Sequence, residues 1–285
     1  MERRNQISTS REIFVSISSP RRTSMKWGVT VAFTAVALCG QVMPASAVAN
    51  GTPVPNGAYS FAVKLTMTDI PRPDGTRYNS ACSGALVARW WIITAGHCFH
   101  DVNRKPVSGK VPYSTTATVG RADLADSTGI VVRVARVVQS TTNDVALAKL
   151  ARPVRNVKPL SLDRVPPHLG EIVTIAGWGS TTDVAPVPST HLQSGQFTVS
   201  SITATTVGVV GYRPSSDTSA CLYDSGAPYF TATHRGRLAL VAVESTGPPC
   251  PHATEETTSR VDNLASWIHS VIYDRKHHQM LPARQ

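Results

Sequence analysis

Thr94-Ala95-Gly96-His97-Cys98 is the run on which the reading of the fold turns. It sets a histidine among small residues, directly before a cysteine. Two later runs complete it: Asn143-Asp144-Val145-Ala146-Leu147 and Asp224-Ser225-Gly226-Ala227-Pro228. Attack by a serine hydroxyl on a carbonyl needs a base to take the proton, and that base needs an acid to orient it. His97, Asp144 and Ser225 supply the three residue types. The order His, Asp, Ser is one of the few known for this constellation. Taken singly, His97 reads as structural, Asp144 as a turn aspartate before a strand, and Ser225 as a turn serine. Their company gives the chemical reading. The apolar residues after Asp144 imply a partly buried carboxylate, which needs a partner. Gly226 and Ala227 are small enough to let a substrate backbone come close to Ser225.

Outward from these runs, β-type segments alternate with Gly, Pro, Asp and Asn punctuation. In a first half, Phe61–Thr66, Gly84–Val87, Trp90–Thr94, Thr116–Val119, Val131–Val138 and Ala146–Lys149 read as strands. Pro153, Pro159, Pro166 and Pro167 mark a linker. In a second half, Ile172–Ala176, Gln196–Val199, Thr205–Val210, Pro228–Phe230 and Leu238–Val243 read as strands. This spacing suits sandwiches or barrels. Val261, Leu264, Ala265, Ile268 and Ile272 recur at helical spacing behind Asp262, so one amphipathic helix closes the domain at about 261–273. Residues 274–285 read as a flexible basic tail. Of the 285 residues, 41% are hydrophobic and 16% charged, which marks a core-forming chain and excludes a disordered one. Aromatics are few beside Val, Thr, Ala and Gly, favouring strands over long helices.

The amino end reads as an export signal. Arg3, Arg4, Arg11, Arg21, Arg22 and Lys26 precede an apolar run, Val29 to Leu38, and Ala45-Ser46-Ala47 offers an A-x-A cleavage site. Met25 begins a complete signal by itself, and Arg21-Arg22 hints at twin-arginine export. The apolar run is short for a membrane span, so residues 1–47 are expected to be removed, leaving no stable anchor. Cleavage also removes Cys39 and leaves Cys82, Cys98, Cys221 and Cys250. An even number in an exported chain implies two disulfides. Three pairings are open, and chain order favours Cys82–Cys98 with Cys221–Cys250. There is no CxxC pair, and neither a metal nor a cofactor is expected. The formal charge is +10, and the leader holds six basic and two acidic residues, which leaves about +6. That charge is scattered, and no nucleic-acid motif accompanies it. A monomer acting on protein or peptide is expected.

These residues resemble the chymotrypsin/trypsin-type serine proteases over residues 48 to about 273. The likeness rests on the three runs, on Gly177-Trp178-Gly179 and on the Trp267-Ile268 helix. It implies an all-β fold of two packed antiparallel six-stranded β-barrels with a C-terminal α-helix. Barrel one would take about 48–160 and barrel two about 161–260, with the catalytic residues in the cleft between them. It implies His97 as base and then acid, Asp144 as the orienting carboxylate and Ser225 as the nucleophile of a secreted endopeptidase. The oxyanion hole would use the N–H groups of Ser225 and Tyr223, where the family carries glycine. The tyrosine keeps its N–H but not glycine's backbone freedom. A catalytically weak, protease-like binding protein is therefore the alternative. An esterase is a third reading, without its G-x-S-x-G elbow. The resemblance also pairs a freed Val48 amine with Asp224. It places Ser219, neutral, at the charge-selecting position of the substrate pocket, and Ser245-Thr246-Gly247 along its wall. Glu255 or Glu256 falls near the pocket floor, where a carboxylate selects Arg or Lys, and an exposed loop is the other fate open to them.

Overall fold

The computed structural model describes residues 48–274. The leader read over residues 1–47 and the tail beyond Asp274 lie outside the described residues. The first barrel is built from β1 (Ala62–Pro71), β2 (Arg77–Ala88), β3 (Trp91–Thr94), β4 (Ser114–Val119), β5 (Ile130–Gln139) and β6 (Ala146–Leu150). The second is built from β7 (Ile172–Gly177), β8 (Gln193–Ile202), β9 (Thr206–Arg213), β10 (Pro228–Ala232), β11 (Leu238–Thr246) and β12 (Glu256–Arg260).

Neighbours in the first barrel run β5-β4-β1-β2-β3-β6, and β5 pairs with β6 to close the ring. In the second they run β8-β7-β10-β11-β12-β9, closed by β8 on β9. All of these pairings are antiparallel. Closure leaves neither ring with a free edge strand. The period of two is plain in β8, where Gln193, Gly195, Phe197 and Val199 point inward and the residues between them do not.

Val173, Ile175, Phe197, Val199, Val207, Val209, Tyr229 and Val241 fill the second barrel. Leu65, Leu86, Ile92, Val119, Val137, Leu147 and their neighbours fill the first. The two rings meet on aromatic edges: Phe230 of β10 lies 5.2 Å from Phe61 and 4.8 Å from Tyr59, centroid to centroid. Offset and edge contacts of this kind add about 0.5–1.5 kcal/mol each beyond burial. Helix α1 (Ala265–Tyr273) follows a single 3-10 turn at Asp262–Leu264, and its Ile268, Val271 and Ile272 join the core of the first barrel. Each such side chain contributes about 1.5–3 kcal/mol on burial. The α-helix thus starts later than its apolar spacing indicates, after a 3-10 turn whose Asp262 is held by the Arg260 side chain with two bonds (2.9 and 2.6 Å).

Candidate active site

His97 sits one turn past β3, in the 3-10 turn Gly96–Cys98. The turn is fastened at its far end by the Cys82–Cys98 disulfide, while Cys221–Cys250 forms the second cross-link. Both pairings are the ones favoured by chain order. Gln139 Nε2 ties the turn down by donating to the carbonyls of Gly96 (2.9 Å) and Phe99 (3.1 Å). A Cβ on Gly96 would lie 2.9 Å from Asp144 Oδ1 and 2.7 Å from Gln139 Oε1, so only glycine lets that carboxylate approach.

Asp144 lies just ahead of β6. Its neighbour Asn143 donates to the carbonyls of Arg260 (2.9 Å) and Thr205 (3.1 Å), which anchors this first-barrel loop on the second barrel. Asp144 Oδ1 accepts the His97 backbone N–H at 2.8 Å, and Oδ2 lies 2.7 Å from His97 Nδ1. The Ser245 hydroxyl donates to the same Oδ2 at 2.7 Å. Burial alone pushes this carboxyl up. The bond and charge of the His97 ring, the Ser245 hydroxyl and the His97 N–H outweigh it and hold the group below the ordinary aspartate range. An ionised Asp144 fixes the ring with Nδ1 as donor, which leaves Nε2 free as an acceptor.

Ser225 rides on a tight turn in which Asp224 N–H donates to Cys221 O (2.9 Å) and Ala227 N–H donates to Asp224 O (2.7 Å). Gly226 has φ +84, and a Cβ there would lie 2.1 Å from Thr94 Oγ1 and 2.5 Å from Ser83 O. Gly226 therefore serves the packing of one barrel against the other, while Ala227 is buried in the core of the second. Ser83 is the other half of that contact. Its N–H donates to Ser225 O (2.9 Å), and its hydroxyl donates to Tyr223 O (3.1 Å) and accepts from Trp178 N–H (2.9 Å). Tyr223 itself has φ +78, the left-handed conformation a glycine would take.

His97 and Ser225 both line two adjoining cavities. One, of about 410 Å³, is walled by Cys221, Leu222, Glu244, Ser245, Thr246 and Gly247. The other, of about 200 Å³, lies against the Cys82–Cys98 disulfide, Tyr78, Arg104 and Tyr223. The His97 side chain is 45% exposed and so open to a ligand in either.

Residues 48–268 match the protein family described as Trypsin. The chain belongs to the trypsin family. Among curated proteins, Transmembrane protease serine 9 of Rattus norvegicus is 27% identical over 275 residues, covering 88% of this chain and 24% of that protein. Trypsin of Squalus acanthias is 29% identical over 205 residues, 67% of this chain and 85% of the shark protein. Serine protease 56 of Homo sapiens is 27% identical over 245 residues, 74% of this chain and 38% of the human protein. The chain thus spans well under half of the rat and human relatives.

In this trypsin-family chain, Val48 is fully buried in the second-barrel core, and its backbone N–H reaches the Asp224 carboxyl. Asp224 also accepts the N–H groups of Gly179 (2.7 Å) and Cys221 (3.0 Å). Complete burial pushes its carboxyl up to about 7 despite those donors. Ser219 does not line the larger cavity. It is fully buried, pairs with Ala49, and its Oγ accepts the His252 N–H at 3.2 Å. Glu255 turns away from the cavity and is bonded by the Ser200 (2.6 Å) and Ser201 (2.9 Å) hydroxyls. Glu256 turns inward behind Gly247, whose Cβ would lie 3.2 Å from its Cγ. Glu244 lines the cavity and escaped the sequence reading. Its signal is an acid directly after the apolar strand Leu238–Val243, where a charge has no ordinary business. Among the described residues no group of His, Cys, Asp and Glu is arranged to hold a metal, and no helix is long and apolar enough to cross a membrane.

Proposed function

We propose that the chain is an exported serine endopeptidase that cleaves protein or peptide substrates. The observation that carries this reading is the 2.7 Å contact between His97 Nδ1 and Asp144, made where His97 and Ser225 share two cavities. Ser225 Oγ attacks the scissile carbonyl while His97 Nε2 takes its proton. Asp144 stays ionised and stabilises the imidazolium. His97 then gives the proton to the leaving amine, the C–N bond breaks, and Ser225 carries the acyl group. Water attacks that ester by the same steps in reverse order and restores the hydroxyl.

The developing oxyanion is met by the N–H groups of Tyr223 and Ser225. The left-handed backbone at Tyr223 supports this role. Export followed by cleavage after Ala47 frees the Val48 amine beside Asp224, which turns a buried, uncompensated carboxyl into a paired one. The enzyme then needs no separate activating protease. It works as a monomer, without metal or cofactor.

A fluorophosphonate probe tests the reading. The exported chain should be labelled on Ser225, and Ser225→Ala should lose both labelling and peptide hydrolysis. A soundly folded chain that takes no label is not this enzyme.

A further inference from the structure

The two cavities that share His97 and Ser225 differ in charge. Asp183 and Glu244 stand on the wall of the larger. No carboxylate lines the smaller, where Arg104 supplies a permanent positive charge. Arg104 and Tyr78 also line an outer groove of about 580 Å³, which carries Arg72 and again no carboxylate. The two guanidiniums bracket the Tyr78 side chain. Arg72 lies over its ring, 4.3 Å from the centroid, and Arg104 Nη1 donates to its hydroxyl at 2.6 Å.

Arg104 is built into its place. Its Nη1 also donates to Nε2 of the buried His100 at 3.0 Å. The other ring nitrogen, Nδ1, donates to the Asp101 carbonyl at 2.7 Å, so Nε2 is the acceptor and the ring is neutral. Asp101 Oδ1 accepts the N–H groups of Asn103 (2.8 Å) and Lys105 (2.9 Å), which fixes the loop. Within it Arg104 has φ +65, a conformation that glycine or asparagine takes more readily. Strain of this kind persists only where its surroundings enforce it, and it gathers at ligand-binding positions. The guanidinium is nonetheless only half used. Among the described residues its Nε and Nη2 make no hydrogen bond, and no ion pair involves Arg104 or Arg72. Asp74, close to Arg72 along the chain, is engaged by the Thr76 N–H (2.9 Å) and hydroxyl (2.7 Å). The open Nε–Nη2 edge is the one on which a guanidinium takes a carboxylate by two parallel bonds.

We infer that Arg104, braced by Tyr78 and His100, selects an acidic side chain within two residues after the scissile bond. The inference rests on the endopeptidase reading and names its substrate class. The acyl side of the substrate belongs to the larger cavity, along Ser245-Thr246-Gly247, so the leaving side crosses the smaller one. A round cavity of about 200 Å³ is roughly 7 Å across, the span of about two extended residues. An Asp or Glu carboxylate there closes on the open edge of Arg104, and Arg72 adds its charge from across the Tyr78 ring. A lysine in the same place meets two guanidiniums and is disfavoured.

The test uses the exported full-length chain and internally quenched peptides, amidated at the C-terminus. They share one cleaved sequence before the scissile bond and carry Glu, Gln or Lys at the first or second position after it. At the better position kcat/KM for Glu over Gln should be about fivefold at low salt and under about twofold at about 0.5 M salt. Lys should fall below Gln. Arg104→Gln should bring the Glu/Gln ratio to about one, Arg104→Lys should keep part of it, and Arg104→Glu should favour Lys. The readout is a ratio, so a general loss of activity does not enter it. A wild-type ratio near one, or one that survives Arg104→Gln, overturns the inference. So does a gain given by a free terminal carboxylate and not by the Glu side chain. If the variants do not fold, the wild-type ratio and its salt dependence decide. Binding of Ala-Glu-Ala amide, read by saturation-transfer NMR and lost in Arg104→Gln, needs no turnover. Labelling of Ser225 without acid preference defeats the subsite and spares the endopeptidase. Arg104-dependent binding without labelling does the reverse, and the absence of both defeats both.

Discussion

Replacing Tyr223 by glycine restores the residue that the family carries at this position. The structure sets the size of the effect. A tyrosine at φ +78 carries about 1–2 kcal/mol of left-handed strain. Glycine relieves it, but gives back about 0.5–1 kcal/mol through its freer unfolded chain. It also removes a half-buried ring worth roughly 1 kcal/mol. The sum lies within about 1 kcal/mol of zero, a shift of no more than about 2–4 °C in melting temperature. Turnover follows from geometry. The backbone at 223 already adopts the glycine-type conformation, with its carbonyl fixed by the Ser83 hydroxyl at 3.1 Å. The N–H therefore does not move on substitution, and kcat/KM should change by less than about threefold. Had the tyrosine displaced its own N–H, glycine would recover the 10²–10³ that one oxyanion donor supplies, on the order of 3–4 kcal/mol. The assay is hydrolysis of a chromogenic peptide, normalised by fluorophosphonate titration of active sites. A rise of about thirtyfold or more would refute the reasoning and mark the natural site as impaired. Tyr223→Asn, which tolerates the same backbone, should match glycine.

Gly226→Ala should be far costlier, because its Cβ would sit 2.1 Å from Thr94 Oγ1 and 2.6 Å from Ala95 N. A loss above about 3 kcal/mol is expected, seen as a melting temperature lower by roughly 6 °C or more, and an unchanged melt would contradict it. Ser245→Ala removes a charge-assisted bond from Asp144 and lets burial raise that carboxyl. Activity should fall about tenfold with the acid limb of the pH profile moved upward, and an unmoved limb would argue against the role given to Ser245. Blocking cleavage ahead of Val48 leaves Asp224 without a counter-charge. Its raised carboxyl, at about 7, contributes stability that is whole below about 4 and lost as pH climbs through 7. Melting temperatures of the blocked chain should fall from about pH 4.5 to about 8.5, while the chain beginning at Val48 stays nearer level. Identical profiles would speak against the pairing.

The first barrel was largely legible. Its strands combine β-branched residues with clear turn signals, and each expected segment overlaps a strand. The second barrel was missing β12 in the segment-by-segment reading. Glu256-Thr257-Thr258-Ser259-Arg260 has no apolar residue, and its place in the sheet comes from closing a ring against β9 and β11. Hydrophobic periodicity carries no such information. The site divides in the same way. His97, Asp144 and Ser225 stand out because reactive side chains in small or apolar frames are rare. Ser219, Glu255 and Glu256 could not be sorted by counting along the chain. Neighbours on a strand face opposite sides, so one register decides which glutamate is buried. The glycine at 226 was legible as a requirement, while its cause, the Ser83 and Thr94 side of the other barrel, was not.

Ser83 bears on how such a chain can be recombined. It belongs to the first barrel, yet it holds the Ser225 and Tyr223 carbonyls and the Trp178 amide, all in the second. The halves are therefore not exchangeable modules. A chimera that took its first half from a relative with another side chain at residue 83 would keep the backbone bond to Ser225 but lose both hydroxyl bonds, to the Tyr223 carbonyl and the Trp178 amide. Shuffling between family members should succeed only where that residue travels with the surface it grips.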